Sequence, residues 1–93
     1  MSEDSRESQL FRLLQADVSY KAGDLVGATS DYESLVGEDS RDALFRLMAL
    51  YMETGEPQRA KALLAHWLVD HPLDGDAEIA LATQLLSLSL IHI

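Results

Sequence analysis

The chain has 93 residues, 47% of them hydrophobic, and 16 acidic against 7 basic side chains give it a formal charge of −9. This length corresponds to one small domain, and a net-negative surface repels nucleic acid and anionic membranes, so both are poor partners. The chain contains no cysteine, which excludes disulfides and thiolate metal sites.

The residues that precede the first predicted helix are polar. The first eight read Met-Ser-Glu-Asp-Ser-Arg-Glu-Ser and lack the apolar core of a secretory signal. If Met1 is the true start, we expect a cytoplasmic protein, or one exported by another route. We predict that the first helix runs from about Ser5 to about Ala22, with Ser2, Asp4 or Ser5 capping its first amides.

Two helices are predicted before residue 40, and each must bury an apolar face on its neighbours. The apolar residues of the first recur at helical spacing, namely Leu10, Leu13, Leu14 and Val18. Gly23 ends that helix, and the second runs from about Leu25 to Val36. The apolar side of the second helix carries Ala28, Tyr32 and Leu35. Gly37 is predicted to be its C-terminal glycine.

Three further helices follow at short intervals. Each begins at a capping residue or a proline, in chain order Asp39 or Ser40, Pro57, and Asp74 or Asp76. The third helix covers about residues 41–54, and the fourth stops before Pro72. Short connections between such helices favour antiparallel neighbours.

A period of roughly 34 residues relates these helices to one another. Gly23 and Gly55 lie slightly less than one such period apart, and each is followed five residues later by an alanine, Ala28 or Ala60. A second register, of one full period, relates two more pairs, Ala43 with Ala77 and Leu47 with Leu81. Two helices in each period of this length are typical of a helical solenoid.

This pattern resembles the tetratricopeptide repeat. The second unit carries the matching positions Leu47, Tyr51, Gly55, Ala60, Leu64 and Pro72. The first unit matches at Ala16, Gly23, Ala28 and Tyr32 but lacks the closing proline. The resemblance implies an all-α fold of antiparallel helix-turn-helix repeats that form a short right-handed solenoid of about five helices. Trp67 departs from it, because the family usually has alanine there.

The resemblance also divides the chain. Its segments are a polar lead-in, 1–8, a first repeat, 9–40, a second repeat, 41–74, and the first helix of an incomplete third repeat, 75–87. The last six residues, Leu-Ser-Leu-Ile-His-Ile, look like the translation of a transposase end sequence used in sequencing libraries. We expect residues 88–93 to be non-native and the natural protein to be a longer repeat protein.

No residue pattern predicts catalysis or a bound cofactor. The chain has no Gly-rich phosphate loop and no Gly-x-Ser-x-Gly, so we predict that it is not an enzyme within these residues. His66 and His71 are five apart, which is off the spacing that lets two imidazoles share a metal. The nearby carboxylates, Asp70, Asp74 and Asp76, are better explained as helix-exit and helix-cap residues. We therefore predict no metal and no cofactor.

If the resemblance holds, the functional surface is the concave face formed by the first helix of each unit. The candidate peptide-binding residues are Leu13, Asp17 and Tyr20, then Phe45, Ala49 and Met52, then Ile79 and Thr83. Of these, Leu13, Phe45 and Ile79 fall on equivalent steps and would form an apolar stripe. Such a stripe suits an apolar or amphipathic segment, although more of the same chain could equally cover it. It argues against the carboxylate-clamp members of the family.

These observations predict a protein–protein interaction scaffold that binds a peptide or helical segment of another protein. Two alternatives stay open: a regulatory or substrate-positioning region of a longer enzyme, and a chaperone or adaptor of a bacterial secretion or pilus assembly system. The apolar stretch from Ile79 to Ile93 is shorter than the roughly 20 residues that a bilayer span needs, so no membrane insertion is expected. An uncapped C-terminal end predicts self-association there.

Overall fold

The structure, a computed structural model, describes the backbone of residues 2–91 and the side chains of residues 7–86. Within that part of the chain it contains five helices and no strand. The helices are α1 (Ser2–Lys21), α2 (Leu25–Gly37), α3 (Arg41–Glu53), α4 (Pro57–Asp70) and α5 (Gly75–Ile91). The predicted all-α class and the predicted number of helices are therefore confirmed.

The helix ends lie close to their predicted positions, with two differences. α1 begins at Ser2, three residues before the predicted start, so residues 2–8 of the polar lead-in belong to the helix. α5 continues to Ile91, through the backbone of most of the predicted non-native tail. The side chains of that tail, residues 88–93, lie outside the described residues, and so does His92.

The chain forms two compact units, Met1–Leu47 and Met48–Ile93, and the boundary between them falls within α3. In the first unit α1 packs on α2, and in the second α4 packs on α5. The buried apolar residues of the first unit are Leu13, Ala16, Ala28, Tyr32, Leu35, Ala43, Leu44 and Leu47. Those of the second are Leu50, Tyr51, Ala60, Leu64, Trp67 and Ala77. The predicted repeat boundaries remain a prediction.

Alanine occupies the positions where a close helix approach needs a small residue. Ala16 of α1 and Ala28 of α2 are fully buried, and so is Ala60 of α4. A methyl side chain lets two helix backbones approach closely, toward the short end of the usual range of about 8–10 Å between helix axes. The two alanines predicted from the repeat, Ala28 and Ala60, therefore lie in the cores of their units.

Three helices end in the same way, with a residue in the left-handed conformation. Gly23 (φ +88°) follows α1, Asp39 (φ 66°) follows α2 and Gly55 (φ +77°) follows α3. At each end the next amide donates back to a carbonyl five residues earlier, as in the bond from Ser40 N to Leu35 O at 3.0 Å. This is the Schellman arrangement, which satisfies carbonyls that the helix leaves open.

The prediction for Gly37 is wrong. Gly37 is the last residue of α2, and the left-handed position falls two residues later, on Asp39. Aspartate tolerates that conformation better than most residues because its short polar side chain can form local hydrogen bonds. The helix therefore passes through its glycine, where φ is ordinary and a Cβ would meet nothing within 4 Å.

Side chains cap the starts of three helices. Asp24 accepts from the amide of Gly27 at 2.9 Å and begins α2. Ser40 accepts from Ala43 N at 3.3 Å, and Asp74 accepts from Ala77 N at 3.2 Å. Of the predicted alternatives, the structure selects Ser40 over Asp39 for α3 and Asp74 over Asp76 for α5.

The apolar residues of α1 cover a broad arc of the helix, and only one edge of that arc is in the core. Leu13 and Ala16 are buried, whereas Leu10, Leu14 and Val18 are 56%, 52% and 66% exposed. Of the four apolar residues that recur at helical spacing in the sequence of α1, only Leu13 therefore lies in the core. The reason is the spacing of four between Leu10, Leu14 and Val18, which places them on the side away from Ala16.

We expect Gly37→Ala to raise the free energy of unfolding by about 0.5–1 kcal/mol, because alanine loses less chain entropy than glycine in a helix. Gly55→Ala is the matched control and should lower it by about 1–2 kcal/mol, since φ at Gly55 is positive. Urea denaturation followed by circular dichroism measures both. Stabilisation by both substitutions would contradict the assigned backbone conformations.

Candidate interaction surface

Three side chains from α1, α2 and α3 meet in the first unit. The hydroxyl of Tyr32 donates a short hydrogen bond to Asp17 Oδ1, and Arg46 Nε lies 3.1 Å from the same oxygen. Tyr32 is only 3% exposed. A buried hydroxyl needs such a partner, because an unsatisfied one costs about 1–3 kcal/mol. Asp17, a candidate peptide-binding residue, is therefore engaged within its own unit.

Burial raises the pKa of the Tyr32 hydroxyl well above its ordinary value of 10.0, and the hydrogen bond to Asp17 raises it further. Burial destabilises the ionised form because it loses hydration. The hydrogen bond stabilises the neutral hydroxyl, and ionisation would place a negative charge beside the carboxylate of Asp17. The folded state therefore holds the hydroxyl proton more tightly than the unfolded state does.

We expect Tyr32→Phe to lower the free energy of unfolding by about 1.5–3 kcal/mol at neutral pH, since Asp17 loses a hydrogen bond.

The raised pKa of Tyr32 also predicts a pH dependence. The contribution of this hydroxyl to the free energy of unfolding is complete below pH 10.0 and is lost as the pH rises above that value. As the pH rises through that value, the free energy of unfolding should fall more steeply for the natural chain than for Tyr32→Phe. Equal slopes would show that this hydroxyl does not carry the effect.

The carboxyl-terminal end of α2 is tied to α1 by polar side chains. Arg12 donates to Glu38 Oε2 at 2.6 Å and to Ser34 Oγ at 3.0 Å. Gln9 donates to the backbone oxygen of Glu38 at 3.0 Å. These groups are partly exposed, so the ion pair stabilises the packing by less than about 1 kcal/mol. They do fix the lateral register of α1 against α2.

Trp67 organises the connection between α4 and α5. Its Nε1 donates to Asp74 Oδ2 at 3.0 Å, while the other oxygen of Asp74 caps α5. The ring of His71 stacks on the indole with centroids 3.8 Å apart and planes 12° apart. Tryptophan fits where the repeat pattern usually has alanine because its N–H bonds to the next helix cap.

The candidate residues of the concave face differ in exposure. On α1, Leu13 is buried at 4% and Asp17 and Tyr20 are half-buried. On α3, Phe45 is half-buried, whereas Ala49 is exposed and Met52 is 44% exposed. On α5, Ile79 is 66% exposed and Thr83 is also exposed. The side chains that can meet a partner without rearrangement are therefore those of α3 and α5.

Two helix faces share one spacing of exposed or half-buried residues. We define the α3 face as Phe45, Ala49 and Met52, and the α5 face as Ile79, Thr83 and Leu86. Both follow i, i+4, i+7, which places three side chains on one side of a helix. Leu86, 66% exposed, was absent from the sequence-based candidates. The register that relates Phe45 to Ile79 also relates Met52 to Leu86, and it identifies this residue.

Polar groups at these faces have local partners or carry negative charge. The guanidinium carbon of Arg41 lies 5.1 Å from the centre of the Phe45 ring. Thr83 Oγ1 donates to the carbonyl of Ile79 at 2.8 Å, so its proton is used within the helix. The first turn of α3 carries Asp42, and that of α5 carries Asp76 and Glu78. Each face therefore has an acidic residue at its amino-terminal end, and the α3 face also has the Arg41 guanidinium beside Phe45.

Gln84 is the buried polar side chain of α5, at 7% exposure, and its Oε1 has no hydrogen-bond partner among the described residues. An unpaired buried acceptor costs about 1–3 kcal/mol. We expect Gln84→Met, which has a similar volume, to raise the free energy of unfolding by about 1 kcal/mol. Gln15→Met, at an exposed position of α1, is the control and should change it little. A loss of stability in Gln84→Met would show that the amide is satisfied.

The described side chains contain no cluster of three or more His, Asp or Glu residues suited to a metal ion. Two residues that the sequence analysis weighed as metal ligands have structural partners instead. Asp74 caps α5, and His71 stacks on Trp67. Among the described helices, none combines the length and apolar character needed to cross a membrane.

Comparisons of the chain with protein-family models, with curated proteins and with solved structures found no match. The tetratricopeptide resemblance thus depends on the spacing of its own residues. Among these, Gly23 and Gly55 take the left-handed turn conformation, and the other small and apolar ones lie in the cores, namely Ala28, Tyr32, Leu47, Tyr51, Ala60 and Leu64. Pro72 is exposed just after α4.

Proposed function

We propose that this chain is a protein–protein interaction scaffold that binds an amphipathic segment through the α3 face and the α5 face. The observation that carries the proposal is the repeated i, i+4, i+7 arrangement on two helices, in which every residue is exposed except the half-buried Phe45. Amphipathic helices dock on apolar grooves through anchors at this kind of spacing.

The proposed architecture is that of tetratricopeptide repeats, with antiparallel helix pairs wound into a right-handed solenoid. In that family the first helix of each repeat lines the concave side, and here those helices are α1, α3 and α5. The shared register of the two faces supports the assignment, because equivalent residues of successive repeats serve the same surface. The family also uses the concave side to bind peptides.

The charge of the chain indicates the chemistry of the partner. With 16 acidic and 7 basic side chains, the surface attracts segments that carry Lys or Arg. Asp42, Asp76 and Glu78 place negative charge at the starts of the two faces. The proposed partner is therefore a protein segment with apolar residues at helical spacing and basic residues beside them.

Selection from a random peptide display library tests the proposal with defined ligands. We expect the selected peptides to share apolar residues at helical spacing together with Lys or Arg. Met52→Glu and Ile79→Glu should each weaken their binding about 10- to 100-fold, because a charge replaces an apolar contact at a buried anchor. Fluorescence anisotropy with a labelled selected peptide measures the change.

Val69→Glu is the matched control, since Val69 is 76% exposed on α4 and outside both faces. It should bind the selected peptides as the natural chain does. If the peptides bind Met52→Glu and Ile79→Glu with unchanged affinity, the proposed surface is wrong. If no sequence is enriched, peptide binding by this chain is itself excluded for the conditions used.

A further inference from the structure

An apolar surface on α1 is left unused by the core and by the proposed concave face. Leu10, Phe11, Leu14 and Val18 are 56%, 62%, 52% and 66% exposed, and we call these four residues the α1 seam. Leu10, Leu14 and Val18 are spaced by four, and Phe11 lies beside them at three residues from Leu14. They cover one side of the helix, opposite the buried Ala16.

The ends of the α1 seam carry opposite charges. Glu7 lies seven residues before Leu14, and Lys21 lies seven residues after it. Seven residues are close to two helical turns, so both charges lie on the same side of α1 as Leu14. Both side chains are exposed. Leu10 and Val18 are likewise placed symmetrically, four residues to either side.

We infer that the α1 seam is the interface between two copies of this chain, arranged antiparallel about a two-fold axis at Leu14. A two-fold interface uses the same patch on both copies, so residue i meets residue j and j meets i. Leu14 then meets its own counterpart, and Leu10 meets Val18 of the second copy. Glu7 of each copy meets Lys21 of the other.

The charges at the two ends of the α1 seam favour a second copy of this chain as the partner, in the antiparallel direction. A parallel pair would place Glu7 against Glu7 and Lys21 against Lys21, which is unfavourable at both ends. An anionic membrane surface is repelled by the net charge of −9. A strongly basic segment would meet Lys21 at one end. A second copy in the antiparallel direction satisfies both ends and buries all four apolar side chains.

The size of the α1 seam sets the expected strength. From Glu7 to Lys21 the helix rises about 21 Å, at about 1.5 Å for each residue. One helix from each copy buries less surface than the interface of a typical stable complex, so the pair belongs to the weak, concentration-dependent class. Helices that cross at a shallow angle interdigitate such side chains along the contact.

Sedimentation equilibrium over a concentration series tests the inference on the full chain. The average mass should rise from 10.3 kDa toward twice that value as the concentration increases. Leu14→Glu places two carboxylates at the two-fold axis and should weaken dimerisation at least tenfold, with circular dichroism showing an unchanged helix content. Val26→Glu, 84% exposed on α2, is the matched control and should dimerise normally.

Charge reversal tests the direction. Glu7→Lys and Lys21→Glu should each weaken the dimer several-fold, because each turns two attractive contacts into repulsive ones. The double variant, with both changes in one chain, should restore the natural dimerisation constant. In a parallel pair the single changes would not weaken the dimer, so that result would overturn the antiparallel arrangement.

Three other outcomes would overturn the interface itself. One is a chain that stays monomeric at every concentration. A second is a dimer that persists in Leu14→Glu. The third is a dimer that Leu86→Glu disrupts and Leu14→Glu does not, which would place self-association on α5, as the sequence alone predicted. Peptide binding by the α3 and α5 faces is measured separately, so either proposal can fail without the other.

Discussion

The hydrogen bond from Tyr32 to Asp17 determines how the first unit packs. It joins the middle of α2 to the side of α1, and Arg46 of α3 reaches the same carboxylate. The side chains buried in this unit include two fully buried alanines, Ala16 and Ala28, together with larger residues such as Leu35. The polar contact adds to the register that these side chains set. It lies on the same side of α1 as the buried Leu13, which leaves the other side for further contacts.

Most helix ends could be predicted from sequence because their causes are local. Gly23, Gly55 and Pro57 act through backbone preferences that do not depend on distant residues. Asp24 and Ser40 cap helices through bonds to amides three residues away. The end of α2 could not be predicted in this way, since Gly37 offers a sequence signal and the chain nevertheless turns at Asp39.

The choice of helix face was less predictable, because it depends on what each helix packs against. α1 has two apolar sides, and the sequence alone does not distinguish Leu13 from Leu14. Trp67 is similar: its deviation from the repeat pattern is visible in the sequence, but its bond to Asp74 is not. The candidate surface on α3 and α5 stays a prediction, and the repeat register extends it to Leu86. On α1 the equivalent residues, Leu13 and Asp17, are used internally.

The position of the single tryptophan has a consequence for experiments on this chain. Trp67 lies in the second unit, against His71 and the cap of α5, whereas Tyr20 and Tyr32 lie in the first. Selective excitation of the indole therefore reports on the turn between α4 and α5, with no contribution from the first unit. Two of the three tyrosines lie in the other half, and the third, Tyr51, lies in the same unit as the tryptophan. The chain thus carries its own optical labels for asking whether its two halves melt together or separately.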